Sequence, residues 1–488
     1  MADGIAAVAA VQRHGWDAHV LDTDGTTRGL LGMHVHPLAD FTPPPAFRVP
    51  NLYEPSRADF SDGVRLALER LHAEHHFDVI EFGVSGGLGF RTVQAKRAGL
   101  AFGNVVLAAR LNACSRAERE RACRWPAGLD ELEADFAERY AFESADVRRT
   151  PEPVAAEYVR SRGWSGVVNP AADPIVAYGA ALPERSSGVE SPARTPLVTV
   201  GVAYYNLGQY LPETLATIAA QTYDQLEVLV IDDGSTDPDS IRVFAEEELK
   251  YPRYRFLRQA NAGIGATRNR CLAEARGEFF VPMDADNLAR PDMVERFVRG
   301  IERNPHLGAM TCYFLAFDDA APKPAGTYLF ACRPVGGPHA AASMRNVYGD
   351  ATAIFRTADF RAAGGYGTDR GTSNEDWEAF VKLVNRGGRI GVIPDHLFDY
   401  RHRAGGFSRV TDGFANHQRV LCEFARADRL PPGEGDVLWA ALLGFQQEVE
   451  RLTARQQCRR YKIADRLHAA YRRATAPARA LARLTRRS

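Results

Sequence analysis

A chain of 488 residues with 45% hydrophobic and 25% charged residues has material for roughly two to four cored domains, and a formal net charge of -1 excludes a polyanion-coating role. The seven cysteines are scattered and odd in number, with no Cys-x-x-Cys pair, so no disulfide scaffold is expected and a reducing compartment is. The amino terminus lacks a basic n-region and no run of about 18 apolar residues occurs, so neither a secretory leader nor a membrane span is expected.

In chain order, strand-like runs at Ala18–Leu21, Asp78–Phe82 and Asn104–Arg110 alternate with helical periodicity at Ser61–Glu74, Phe90–Ala98, Asp130–Ala145 and Val154–Arg162. Such alternation predicts a parallel α/β layer. Inside it, Ser85-Gly86-Gly87-Leu88-Gly89 joins a strand to a helix, a setting in which backbone N–H groups can cradle phosphate. It is not Gly-x-Gly-x-x-Gly, and no acidic residue closes the next strand, so a dinucleotide site is not expected. His72, His75 and His76 form a histidine cluster, but His72 and His76 at helical spacing have no clear third ligand, and a solvated helix is expected.

The segment PERSSGVESPARTP, residues 183–196, reads as a linker. Beyond it the alternation begins again with strands at Leu197–Ala203, Leu226–Ile231, Arg255–Arg258 and Phe279–Met283 and helices at Leu211–Ala220, Ile241–Glu248 and Gly265–Ala275. A second α/β domain follows. From about Phe407 helical patterns dominate, and residues 459–488 carry ten Lys and Arg against one Asp, a basic helical tail able to lie on an anionic surface.

Two places in the second domain carry chemistry. Asp284 and Asp286 leave the end of an apolar strand one residue apart and offer the hard oxygen ligands that Mg²⁺ or Mn²⁺ takes one or two at a time. The run LEVLVIDDGSTD, residues 226–237, ends a strand in two aspartates, where Asp233 could accept from a base or ribose donor or simply hold a turn. Glu375 and Asp376 open a helix, where they could stabilise its amino-terminal dipole or act as acid–base groups.

The ordered series VTVGVAYYN (198–206), AAQTYDQLEVLVIDDGSTD (219–237), RQANAGIGATRN (258–269), GEFFVPMDADN (277–287) and GTSNEDWEAF (371–380) resembles family 2 glycosyltransferases over roughly residues 196–410. The resemblance implies a GT-A type nucleotide-sugar-binding α/β domain that works with Mg²⁺ or Mn²⁺ and transfers with inversion. It gives Tyr205 and Asp233 to the nucleobase, Arg268 to the phosphates, Asp286 to the metal, Asp284 to the ribose or a supporting metal role, and Asp376, beside Glu375, to the catalytic base. In Tyr400-Arg401-His402-Arg403, either Arg403 or His402 takes the place that approaches the diphosphate or metal. Ala203 departs from the pattern, where a hydroxyl residue or Pro is usual. Gly349-Asp350 and Gly364-Gly365-Tyr366 fall where the family has a donor-sugar or acceptor-facing loop, although Gly pairs are also simple turn punctuation. The stretch Asp78–Gly99, with LAARLN (107–112) and Asp135–Val147, resembles the amino-terminal half of family 4, GT-B type glycosyltransferases over about residues 1–180. That implies a Rossmann-like domain serving acceptor binding or structure, since no second GT-B half follows and Asn112 stands where His is common.

The fold class expected is therefore α/β: a Rossmann-like domain over residues 1–182, a linker over 183–196, a GT-A catalytic domain over 197–410 and a helical extension with a basic tail over 411–488. The expected partners are a nucleotide-sugar donor, with UDP favoured, and a glycan or lipid-linked acceptor, with no nucleic acid. The expected place is the cytoplasm, with the tail at the membrane's inner face. The rival readings are an inactive sugar-binding or scaffold module and a sugar nucleotidyltransferase; the latter would need a Gly-rich loop with Arg and Lys after the first strand, which Tyr204-Tyr205-Asn206-Leu207-Gly208 does not supply.

Overall fold

The computed structural model describes residues 16–24, 34–52, 57–166, 178, 180–182, 195–319, 327–403 and 411–426. All of them belong to one compact unit, residues 1–431. The expected basic tail, and the linker apart from residues 195 and 196, lie outside the described residues, as does the helical extension beyond the helix Gly413–Ala425.

Five strands belong to the amino-terminal part: β1 (His19–Asp22), β2 (His34–Pro37), β3 (Val79–Gly83), β4 (Val106–Arg110) and β5 (Val147–Arg149). β3, β4 and β5 form a parallel three-stranded sheet, and β1 pairs with β2 separately, also in parallel. The helices Arg57–His75, Phe90–Arg97, Leu129–Ser144 and Pro153–Ser161 fall close to their expected places. β5 lies just past the end of the expected helix at Ala145, because a strand of three residues is too short to leave a periodic signal.

The rest of the unit is built on a nine-stranded mixed sheet. Its strands are β6 (Val198–Tyr204), β7 (Leu226–Asp232), β8 (Arg255–Arg258), β9 (Phe279–Asp284), β10 (Leu288–Ala289), β11 (Ala309–Asp318), β12 (Phe330–Cys332), β13 (Ile354–Arg356) and β14 (Ile390–His402), in the order β10-β14-β11-β13-β9-β6-β7-β8 with β12 beside β11. β6, β7, β8 and β9 run parallel. Their near-continuous apolar sequences suit strands covered on both faces, and Val198, Val200, Val202, Val230 and Val281 are all fully buried. β11, AMTCYFLAFD, is a ten-residue apolar run whose periodicity does not separate strand from buried helix, and sequence reading left it out.

Register sets the site. Ala203 of β6 lies opposite Asp284 of β9, and Tyr204 lies opposite Asp232 of β7, so the carboxyl ends of three parallel strands finish level. At that edge, loops and helix amino termini converge.

The amino-terminal elements are joined to the large sheet by a buried polar seam. The Tyr313 hydroxyl donates to Asp62 Oδ2 at 2.8 Å, and Arg65 and Arg91 approach the same carboxylate at 3.4 and 3.7 Å. The Arg91 guanidinium lies 5.1 Å from the Tyr313 ring centroid, and Arg333 donates to the Val49 and Ala46 carbonyls at 3.0 and 3.2 Å. Backbone bonds from Leu52 N–H to Ala331 and from Ala331 N–H to Pro50 add the chain near Asn51 alongside β12. Burying these charges is tolerable because each finds a counter-charge or hydrogen-bond partner.

Candidate functional site

β9 ends at Asp284, and the turn Ala285-Asp286-Asn287 carries the chain into β10. Asn287 is fully buried; its side-chain oxygen accepts from Arg401 N–H at 3.0 Å and its carbonyl accepts from Thr214 Oγ1 at 2.9 Å. The Arg401 guanidinium donates to the Asp286 carbonyl at 2.9 Å, and Arg403 Nε donates to Asp286 Oδ2 at 2.6 Å. The turn is thus fixed from β14 while its two carboxylates stay at the strand edge. Burial and the neighbouring Asp284 push the Asp286 carboxyl up to about 6, against the pull of Arg403.

Arg268, on the helix Ile264–Glu274, is 3% exposed and bridges two elements: Nη2 donates to Asp284 Oδ1 and Nη1 to Glu375 Oε1, each at 2.5 Å. Its guanidinium lies 5.4 Å from the Tyr366 ring centroid. Glu375 and Asp376 open the helix Glu375–Asn385, entered through Asn374 in the left-handed region at φ 66°, which asparagine tolerates better than most residues. Trp377 holds that helix in place by donating Nε1–H to the Ala342 carbonyl at 2.8 Å. The Asp376 carboxylate accepts the Trp377 N–H at 2.7 Å; burial, then Glu375 and Asp350, push its carboxyl up to about 8. Asp350, which accepts from Thr352 N–H at 2.9 Å, is pushed up to about 6 by burial and by Asp284.

Five carboxylates therefore gather beside the strand ends, and among the described residues the cations paired with them are Arg268 and Arg403. Negative charge in excess of its counter-charge, carried on hard oxygens, fits Mg²⁺ or Mn²⁺. Asp284, Asp286 and His402 do not bring three ligand atoms within 4.8 Å of one another; among the described residues, the groups that do so are His19, His36, His75 and Asp17, His19, His34. The His402 ring meets Phe330 edge-on at 5.6 Å, while its neighbour Arg403 takes the Asp286 carboxylate. Of the two residues between which the sequence left the choice, Arg403 is the one in contact with the acidic turn.

Tyr205 follows β6 with 43% of its surface exposed, a free aromatic face beside the strand ends. Asp233 is 3% exposed and its carboxylate already accepts three protein donors: Gln259 Nε2 at 2.7 Å and the Ala262 and Gly263 N–H groups at 2.8 Å each. It shapes the loop that leads into the Arg268 helix, and a ligand donor would be its fourth, the most that two carboxylate oxygens accept comfortably.

Three residues take roles that the sequence did not assign. Asp350, expected only in a sugar- or acceptor-facing loop, joins the site carboxylates. Tyr366 lies against Arg268 from the Gly364-Gly365 turn. Arg401 links the acidic turn to Asp319 at 3.2 Å and to Glu213, and stacks over Tyr210 and Phe317, 4.7 and 4.8 Å from their ring centroids.

The Gly-rich loop of the amino-terminal part has a different occupant from phosphate. The Glu138 carboxylate, fully buried, accepts the Gly86 N–H at 2.7 Å, the Ser115 N–H at 2.9 Å and the Ser115 hydroxyl at 2.5 Å. A protein carboxyl group thus already takes the Gly86 N–H of that loop.

The model of the family described as Glycosyl transferase family 2 matches residues 199–358. An uncharacterized glycosyltransferase of Haemophilus influenzae is 37% identical over 112 residues, 23% of this chain and 35% of that protein. The putative glycosyltransferase EpsE of Bacillus subtilis is 26% identical over 220 residues, 44% of this chain and 77% of that protein. Chondroitin synthase of Escherichia coli is 38% identical over 91 residues, 19% of this chain and 13% of that protein. The chain thus spans about a third or less of the length of several curated relatives that it matches. Among solved structures, residues 1–349 of S. aureus TarS in complex with UDP-GlcNAc align at 21% identity with a TM-score of 0.41, over 50% of this chain and 70% of that one. The mannosyltransferase PcManGT from Pyrobaculum calidifontis, in complex with GDP-Man and Mn2+, aligns at 23% identity with a TM-score of 0.38, over 57% and 85%.

Proposed function

We propose that this chain, whose residues 199–358 match the family described as Glycosyl transferase family 2, is a metal-dependent, inverting glycosyltransferase that moves a sugar from a nucleotide sugar, a UDP-sugar first among them, to a hydroxyl of a glycan or glycoconjugate acceptor. The observation that carries the proposal is the meeting of Asp284, Asp286, Arg268 and Asp376 at the level ends of the parallel strands.

In this reading Tyr205 stacks on the nucleobase, and Asp233 offers its remaining lone pair beside it while holding the loop of residues 259–263. Asp286, supported by Asp284, would hold Mg²⁺ or Mn²⁺. The bound ion would offset the charge that grows on the departing diphosphate. Arg268 keeps a permanent positive charge near that leaving group in a site closed to water, where it acts more strongly than in bulk solvent. Arg403 reaches the diphosphate side by exchanging its contact with Asp286 for one with the donor, and His402 lies next to it in the chain. Asp376, in its ionised form, takes the proton of the attacking hydroxyl; a carboxylate whose acid is pushed up to about 8 is a stronger base than an ordinary one. One base and one in-line displacement invert the anomeric centre. Glu375 keeps Arg268 in position.

Residues 197–410 are the catalytic domain in this proposal, and residues 1–182 a Rossmann-like, family 4-like module that supports it or binds the acceptor. No helix among the described residues is long and apolar enough to cross a membrane. A cytoplasmic enzyme whose basic tail rests on the inner face of the membrane would meet a lipid-linked acceptor there, as in polysaccharide or cell-envelope glycan synthesis.

The test is release of nucleoside diphosphate from a panel of nucleotide sugars with Mn²⁺, for the intact chain, Asp286→Ala and Asp376→Asn. Metal-dependent turnover of one donor should fall by roughly 10²-fold or more in Asp286→Ala. Asp376→Asn should lower kcat by about 10² to 10⁴ with little change in donor KM. If no donor turns over with any acceptor and yet one binds in calorimetry, the catalytic reading gives way to a nucleotide-sugar-binding module.

A further inference from the structure

The described residues hold a second group of metal-capable side chains, far in chemistry from the acidic turn. β1 and β2 run parallel with His19 opposite His34 and Leu21 opposite His36. Side chains alternate along a strand, so His34 and His36 share one face, and His19 joins them on it. The His19 ring stacks on His34 at 4.7 Å and on His36 at 5.2 Å. His75, the last residue of the helix Arg57–His75, brings its ring to 4.3 Å from His19 and 5.5 Å from His36. The sequence grouped His75 with His72 and His76 and gave a solvated helix as the expectation; the fold turns His75 toward two histidines that lie about forty to sixty residues earlier in the chain.

We propose that His19, His36 and His75 bind a Zn²⁺ ion that fastens the β1–β2 pair to the end of the helix Arg57–His75. His19 Nδ1 and His36 Nε2 are 2.9 Å apart, and one nitrogen from each of the three rings lies within 4.8 Å of the others. Zinc–nitrogen bonds of about 2.0–2.1 Å in a tetrahedron separate donors by roughly 3.3 Å, so the rings need only small rotations to accept the ion.

A second feature points the same way. Asp17 Oδ2 lies 3.3 Å from His19 Nε2, the nitrogen opposite the one that faces His36. A carboxylate accepting from Nε2–H fixes the tautomer that leaves Nδ1 with a free lone pair, the arrangement that orients histidine ligands in metal sites. His36 then carries its proton on Nδ1 and presents Nε2. Three imidazoles without a thiolate suit zinc, whereas Mg²⁺ and Mn²⁺ favour the oxygens of the acidic turn. The fourth position is left to water.

The experiment uses the full chain without a histidine tag, stripped with a chelator and titrated with Zn²⁺ against a chromophoric competitor in excess Mg²⁺, with Co²⁺ as a spectroscopic substitute. The expected result is about one tightly held equivalent of Zn²⁺ and the intense visible bands of low-coordinate Co²⁺. Both should persist in Asp286→Ala and in His76→Asn and disappear in His36→Asn and His75→Asn. Zn²⁺ should also raise the Tm of the intact chain and not that of His36→Asn. No retained Zn²⁺ in the intact chain, or equal retention in folded His36→Asn and His75→Asn, overturns the proposal. Loss in Asp286→Ala alone would assign the zinc to the acidic turn and overturn it as well.

Discussion

Arg268 lies buried between Asp284 and Glu375, yet Asp286, Asp350 and Asp376 nearby are all pushed above the ordinary carboxylate range. Each binds its proton more tightly in the folded chain than in the unfolded one. Their contribution to stability is therefore complete below about 4, the unfolded value, and is lost as pH rises through about 6 for Asp286 and Asp350 and about 8 for Asp376. Metal-free protein should accordingly show a Tm that falls across that window, and Mn²⁺ should reverse most of the fall at pH 8. Asp286→Asn should flatten the profile and remove the Mn²⁺ response. A Tm that rises from pH 4 to 8 without metal would contradict the assignment of these charges. At this scale the sequence supplied Asp284, Asp286, Arg268, Glu375 and Asp376, because strand-end and helix-start aspartates stand out against apolar runs. Asp350 was expected only in a sugar- or acceptor-facing loop, since a single loop aspartate acquires its role from what folds against it.

The helix Ile264–Glu274 shows how one element holds another. A Cβ on Gly265 would come within 1.8 Å of the Gly367 carbonyl oxygen, so the first turn of this helix is packed directly on the loop that leads to Glu375. Gly265→Ala should push that loop away and cost about 1–3 kcal/mol by overpacking. Chemical denaturation would measure the cost, and donor turnover should fall more than donor binding, because Arg268 and Asp376 lose their common placement. The helices near residues 211–220, 241–248 and 265–275 and the parallel strands β6 to β9 were readable within a few residues, from helical periodicity or short apolar runs, whereas the helices Met293–Glu302 and Thr357–Ala363 were left out. β11, β13 and β14 were not, because their order in the sheet and the bulge between Cys312 and Phe314 arise from pairing with distant strands.

Across the whole compact unit, the amino-terminal elements and the large sheet meet through buried charge. Asp62 is 3% exposed and receives Tyr313, Arg65 and Arg91; removing its carboxylate takes the ion-pair partner from the buried Arg91, while Arg65 keeps Glu69 at 2.6 Å. Asp62→Ala should destabilise the chain by about 3–5 kcal/mol in equilibrium unfolding. A fragment of residues 195–431 should express poorly or aggregate, as Tyr313, Arg333 and Val335 would lose their cover, and a fragment as stable as the full chain would show that the seam is dispensable.

By itself, the sequence determined the α/β class, the order of motifs over residues 196–410 and most of the acidic site, because local periodicity and strand-end residue types are properties of neighbouring positions. Tertiary structure decided which residues act together: Arg403 rather than His402 against Asp286, Glu138 in the Gly-rich loop, Asp350 among the site carboxylates, His75 beside His19 and His36, and Asp62 under Tyr313. Those pairings join residues that are mostly tens to hundreds of positions apart, and only packing brings such groups close enough for charge and hydrogen bonding to act.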